Sequence, residues 1–436
     1  MNTKNENTTC KGDLDMKNTL IIDKFLIFDH AEIDINKFTV FIGPQASGKS
    51  IAAKLVYLFY LLPSAVTTTI KIKEKKRFLC NGMLRTFLAV FPKYIWHNQS
   101  FTIKLLTEYG QLCFSHIAGK TLTFKVSEYY DKIFKNVFSH HSKYSKQNNN
   151  PWEFELFFDL SDYVNEQPWG FVNSPNEIMF APAGRSFFAT LEQNVFSFLS
   201  SSLSIDYFLK KFGVQYSHCK SSTFEYELEN NKSIGDACLK LLHGQYYRKN
   251  QKDYIREKLV DGQNIDVEIK DCSSGQQELL PLLIVSSNRS YSYLMIEEPE
   301  THIFPEAQSD IIQYLVSLQY LGKNQRAFLF TTHSPYVLTT LNNLAYAGYL
   351  ERGINSKLDS EKIKALDKIY SLKERISAGL LSAYHFSHGN VKNIIDKETG
   401  LINAEDLDRI SDITNDKFSE LIDLKLQYDN NAEGEE

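Results

Sequence analysis

Phe38-Thr39-Val40-Phe41-Ile42 is an unbroken β-branched and aromatic run, the pattern of a strand buried on both faces. Leu20-Ile21-Ile22 and Ala31–Ile35 predict two further strands before it, and Ile51–Leu58 predicts a helix after it. Phe101–Leu106, Gln111–His116 and Thr121–Val126 alternate apolar and polar residues. They are separated by Tyr109-Gly110 and Ala118-Gly119-Lys120, which predicts a meander. Asn176–Ala181 reads as a strand ending at Pro182-Ala183-Gly184-Arg185-Ser186. Residues 191–212 and 233–260 read as largely helical, and Ile265–Ile269 as an alternating strand. Leu294-Met295-Ile296 and Ala327–Phe330 are continuous apolar strands of the kind found in a parallel sheet covered on both faces.

The polar stretches divide the chain. Residues 1–16 read as a disordered tail, and 139–150 as a loop. The pair His140-His141 has no acidic or cysteine neighbour, which argues against a metal there. Lys71–Arg77 is a basic helical stretch with a solvated face. From 351 onward the chain is charged and helical and ends in an acidic tail. Neither heptads nor internal repeats are evident, which disfavours a long coiled-coil arm.

Composition changes this picture little. The chain has 436 residues, enough for two or three domains, and its net charge of −5 gives no global attraction to nucleic acid. Six cysteines are scattered without a C-x-x-C, which suits a reducing compartment. The N-terminus lacks the apolar stretch of a signal peptide, and the apolar run Ile51–Leu62 is too short to span a bilayer and carries Lys54. A cytoplasmic protein with no membrane partner is expected.

The chemistry lies in four motifs. Gly43-Pro44-Gln45-Ala46-Ser47-Gly48-Lys49-Ser50 fits the phosphate-binding pattern G-x-x-x-x-G-K-[ST], between the strand and helix that pattern requires. Gly43, Gln45, Ala46, Ser47 and Gly48 would curl the backbone so that N–H groups face phosphate oxygens. Lys49 would reach the β- and γ-phosphates of ATP, and the Ser50 hydroxyl would ligate Mg²⁺. In Tyr293–Glu300 an apolar strand ends in two carboxylates: Glu297 is the candidate Mg²⁺ ligand and Glu298 the candidate general base. In Cys272-Ser273-Ser274-Gly275-Gln276-Gln277-Glu278, a serine and glycine open a helix whose N-terminus suits a phosphate; alone this would be an ordinary serine cap. In Phe330-Thr331-Thr332-His333-Ser334-Pro335, His333 stands past a strand end, positioned to meet a γ-phosphate.

In this order the four motifs resemble the ATP-binding-cassette class of ATPases, and more narrowly the SMC-like and OLD-like AAA15/AAA21 ATPases. The resemblance implies an α/β fold: a P-loop ATPase head with a mixed sheet, an antiparallel β subdomain, a helical insert and a small C-terminal region. It divides the chain into head segments 17–62 and 265–350, a meander and mainly helical insert 63–264, and an α-rich region 351–436. By position, Ser273, Gly275 and Gln276 fall on the signature, Glu300-Thr301-His302 on the D-loop, and His333 on the switch histidine. Glu297 stands where the family usually has Asp, a departure expected to weaken Mg²⁺ binding or slow turnover. No glutamine of the Q-loop is placed.

The same resemblance implies partners. Each ATP would be sandwiched between the P-loop of one copy and the signature of another, in a homodimer or higher oligomer. The chain is similar to the ATPase subunits of bacterial anti-phage systems (PtuA of Septu, AriA of PARIS), which implies control of a separate effector nuclease. DNA or a phage trigger protein are further candidate partners. Two alternatives stay open: an SMC-like DNA-repair or DNA-binding ATPase, and an OLD-like nuclease with a cryptic C-terminal metal site at Asp406 and Asp408. The latter two sit in a helical pattern, Ala404–Ile410. A transport cassette is disfavoured by the length of the stretch between P-loop and signature.

Overall fold

The computed structural model describes residues 18–71, 76–147, 162–171, 177–189, 205–222, 224–322, 325–353 and 360–403. The continuous apolar runs become the centre of a six-stranded sheet. Its strands are β3 (Phe38–Ile42), β7 (Glu177–Ala181), β11 (Tyr291–Glu297), β12 (Ala327–Thr332), β13 (Leu381–Ser387) and β14 (Asn390–Asn393), in the order β14-β13-β3-β12-β11-β7. All neighbouring pairs are parallel except β13 with β14. Every residue of β3, β11 and β12 is buried. Alternate side chains enter opposite cores: Phe41, Tyr293, Met295 and Leu329 on one face, and Phe38, Val40, Leu294, Ile296, Phe328 and Phe330 on the other. A sheet covered on both faces needs such unbroken runs, which is why they stand out in the sequence.

The first core lies against a five-stranded antiparallel sheet, β2-β1-β4-β5-β6, built from β1 (Asn18–Phe25), β2 (Phe28–Ile35), β4 (Phe101–Thr107), β5 (Gly110–His116) and β6 (Thr123–Val126). The predicted meander is β4–β6. Helix α1 (Lys49–Tyr60) packs in the same core, followed by α2 (Leu62–Lys71), α3 (Lys76–Val90) and α4 (Glu128–Gln147). The stretch Lys49–Thr69 is apolar and long enough to cross a membrane; 67% of its most apolar window is buried inside the fold. The second core is closed by α5 (Tyr207–Ser222), α6 (Phe224–Asn230), α7 (Lys232–Leu241), α8 (Ser274–Ser286), α9 (Pro305–Ser317) and α10 (Pro335–Gly353).

Residues 139–147, read as a loop, are instead the last turns of helix α4, which runs to Gln147. Two further stretches differ from the sequence reading. Residues 233–260 are helical only to Leu241. Then come β8 (Gln245–Lys249) and β9 (Lys252–Lys258), which with β10 (Asn264–Glu268) form a three-stranded antiparallel sheet. Only Tyr246, Asp253 and Ile255 of β8 and β9 are buried, and the turn Asn250-Gln251 takes left-handed backbone (φ 52° and 65°) without a glycine. The signals that mark a hairpin are therefore weak. The second of these is at the C-terminus. After α11 (Ser360–Ile369) and a short 3₁₀ turn (Leu372–Glu374), the described residues form strands: β13 joins the central sheet beside β3, and β14 turns back through His388-Gly389. The region expected to be α-rich thus supplies two strands of the head. Residues 1–16, 190–204, Asp406 and Asp408 lie outside the described residues.

Candidate nucleotide-binding and hydrolysis site

Parallel pairing of β3, β12 and β11 brings three loops to one edge of the sheet. The register sets Ile42 beside Thr332 and Thr331 beside Glu297, so the P-loop, His333 and Glu297-Glu298 follow adjacent strand ends. Such an edge, at the carboxyl ends of parallel strands, is where α/β sheets bind ligands.

The P-loop is shaped by its glycines. At Gly43 (φ 150°) an added Cβ would lie 2.1 Å from the Phe386 carbonyl oxygen of β13. At Gly48 (φ 106°) it would lie 2.5 Å from the Phe28 ring. The loop is thus wedged between the C-terminal strand and the β1–β2 hairpin, with room for backbone only. Gly48 caps α1 without a side-chain partner, which leaves the first-turn N–H groups for a ligand. Ser47 and Lys49 are buried, whereas Gln45, Ala46 and Ser50 are exposed on the open side. The Lys49 ammonium folds back onto its own loop and donates to the carbonyls of Gly43 (2.7 Å) and Pro44 (2.8 Å). Burial lowers its pKa to about 8, against the opposing pull of Glu298, Glu300 and Glu297.

Glu297 is buried. Its Oε1 has no hydrogen-bond partner, and its Oε2 is met only by the Ala183 N–H at 3.5 Å. A buried carboxylate oxygen without a donor fits a cation ligand. Glu298 has left-handed backbone (φ 45°), with its N–H donating to the Thr331 carbonyl at 2.8 Å. Its Oε1 lies 3.3 Å from Nε2 of His333, whose Nδ1 is 3.5 Å from the Lys49 ammonium. His333 therefore stands between the P-loop lysine and the candidate base. Glu300, placed in sequence only as part of the D-loop, orients it: Glu300 Oε1 accepts from the His333 N–H (2.8 Å) and the Thr332 hydroxyl (2.6 Å).

Ser273, Gly275 and Gln276 form a separate group. Ser273 caps α8 in a reciprocal box with Gln276, whose Nε2 donates to the Leu242 carbonyl and to Glu257, both at 2.8 Å. An added Cβ on Gly275 would lie 2.9 Å from the His302 carbonyl oxygen, so the helix start presses on the loop after Glu298. Among the described residues, none of their hydrogen bonds reaches Gly43–Ser50.

A family model described as an AAA ATPase domain, AAA_15, matches residues 16–338. The chain belongs to the AAA_15 family. A search of curated proteins found no match. Solved structures similar to this AAA_15 chain include an Smc head bound to the C-terminal winged-helix domain of ScpA (10% identity, TM-score 0.38, covering 87% of this chain and 96% of that one). The SMC head domain of Thermotoga maritima is another (13%, 0.36, 87% and 98%). A third is the Pyrococcus furiosus Smc head with an extended coiled coil bound to the C-terminal domain of ScpA (8%, 0.36, 92% and 99%).

The AAA_15 match stops at 338, yet β13, which flanks the P-loop strand and abuts Gly43, lies beyond it. Sequence reasoning also missed Arg185 and Glu278. Both are fully buried, and the Arg185 guanidinium donates to the carbonyls of Glu297 and Glu298. Pro182–Ser186 marks only the end of a buried strand and does not show that Arg185 turns inward.

The lowered pKa of Lys49 has a functional sign. Only the charged amine pairs with phosphate, and the free protein loses that proton as pH rises through about 8. Apparent ATP affinity should be flat below that value and fall roughly tenfold per pH unit above it. Lys49→Arg, with a guanidinium charged throughout this range, should remove the fall. Nucleotide titrations between pH 7 and 9.5 read this directly.

Proposed function

We propose that this AAA_15 ATPase binds ATP with Mg²⁺ at the β3–β12–β11 edge and uses its hydrolysis to control a partner protein. The observation that carries the reading is the convergence of Lys49, Glu297, Glu298 and His333 on one sheet edge. Lys49 would exchange the loop carbonyls for the β- and γ-phosphates, and Gly43–Gly48 would surround them with backbone N–H groups. Ser50 and Glu297 would hold Mg²⁺, which supplies charge neutralisation at the phosphates. Glu298 would take the proton of the attacking water, and His333 would face the γ-phosphate while its ring contacts the base.

The isolation of Ser273 from the P-loop of its own chain supports a composite site, in which the start of α8 meets the nucleotide of a second copy. A mixture of Lys49→Ala and Ser273→Arg subunits should then recover part of the turnover that each variant lacks alone. Failure to recover, with subunit exchange demonstrated, would contradict the composite site.

The biological reading is an anti-phage ATPase whose ATP state restrains or licenses a separate nuclease. Its support is the motif resemblance; Asp406 and Asp408, the alternative nuclease carboxylates, lie outside the described residues. The test is a plasmid-degradation assay with Mg²⁺ or Mn²⁺. The purified chain should not cut, and cleavage lost in Asp406→Ala and Asp408→Ala would instead indicate an in-chain nuclease.

A further inference from the structure

Arg185 and Glu278 are a buried ion pair shielded from solvent. The pair is committed to backbone. The Glu278 carboxylate accepts from the N–H groups of Arg185 (2.9 Å) and Ser186 (3.0 Å). The Arg185 fork donates to the carbonyls of Pro182 (2.9 Å), Glu297 (2.7 Å) and Glu298 (3.0 Å), and its Nε lies 3.5 Å from Glu278 Oε2. Lysine could not span these acceptors, because only guanidinium offers a planar fork of donors.

The position of this fork has a consequence for Glu298. Its backbone is left-handed, a conformation that non-glycine residues hold only when their surroundings impose it. The surroundings here are four bonds: the Thr331 carbonyl on the Glu298 N–H, and the Arg185 guanidinium, the Thr301 hydroxyl and the Thr301 N–H on its carbonyl. On the other side, Glu278 is carried by α8, the helix that Ser273 and Gln276 cap. A continuous path therefore runs from the start of α8 through Glu278 and Arg185 to the backbone of the candidate metal ligand Glu297 and the candidate base Glu298.

Resting on the ATPase reading above, we infer that Arg185 and Glu278 are positioning residues that tie the signature end of α8 to Glu297 and Glu298. The pair sets the strained Glu298 backbone in its catalytic orientation. A shift of α8 on engaging the nucleotide of a second copy is passed to the base through two buried side chains. Neither residue touches ATP.

The test uses the full-length chain with Glu278→Gln, and an Arg185→Met/Glu278→Gln double variant that removes both charges together and leaves neither orphaned. The amide introduced by Glu278→Gln keeps contact with the 185–186 loop but cannot accept both N–H groups with full charge. Expected are ATP affinity within about threefold of wild type and kcat lowered at least roughly tenfold, the split of a group acting in the chemical step and not in binding. Amide exchange should rise at Glu297–His302 and stay unchanged in β3 and α1. Unchanged kcat, a parallel loss of affinity and turnover, or unchanged exchange at Glu297–His302 would overturn the inference. Failure of both variants to fold would make the pair a structural prop and overturn it equally. A wild-type chain without ATP turnover would refute the ATPase reading, and the exchange measurement would then judge the pair by itself.

Discussion

Lys49→Ala should lower ATP affinity by on the order of 100-fold or more, the loss of charge-assisted bonds to two phosphates, about 3 kcal/mol. The fold should survive. In the free protein Lys49 is buried against the carbonyls of Gly43 and Pro44, and burial disfavours its charge enough to bring its pKa to about 8. Removing the amine therefore removes a cost along with its hydrogen bonds to the Gly43 and Pro44 carbonyls and its longer contacts to Ser47 and His333, so thermal stability without nucleotide should change little. Binding of a fluorescent ATP analogue beside a melting curve separates the two effects. Wild-type affinity in this variant would end the phosphate assignment.

Glu298→Gln should have the opposite profile. The side chain keeps its size, Glu297 keeps its cation-ready oxygen, and Lys49 is untouched, so ATP binding should stay within about threefold. Turnover should fall by roughly 100- to 1,000-fold, the usual contribution of a positioned general base. Because ATP would bind but not be consumed, the assembly it holds together should accumulate and show in size-exclusion chromatography with ATP and Mg²⁺. Unchanged turnover would mean that Glu298 is not the base, and Glu297→Gln would then be the variant to examine.

The edge that carries the candidate site was legible because a parallel sheet buried on both faces must be written in continuous apolar runs, and β3, β11 and β12 are. Each run leads into candidate site residues, so strand and candidate site were read together. β13 was not legible. Leu381-Ser382-Ala383-Tyr384-His385-Phe386 mixes polar and apolar positions, and its partner β3 lies more than three hundred positions earlier in the chain. The need for glycine at 43 followed from the motif, but its steric reason, the Phe386 carbonyl, could come only from that pairing. The β8–β9 hairpin was hidden by charged residues on its open face and a glycine-free turn. Arg185 was hidden for another reason: nothing local distinguishes an arginine that caps backbone carbonyls from one in solvent.

The most direct measurement is a structure of the chain with a non-hydrolysable ATP analogue and Mg²⁺. The account predicts the phosphates inside Gly43–Gly48 and on Lys49, the metal on Ser50 and Glu297, and Ser273 of a second copy at the γ-phosphate. Nucleotide bound away from the β3–β12–β11 edge, or bound there with Glu298 turned out of reach of the γ-phosphate, would contradict it.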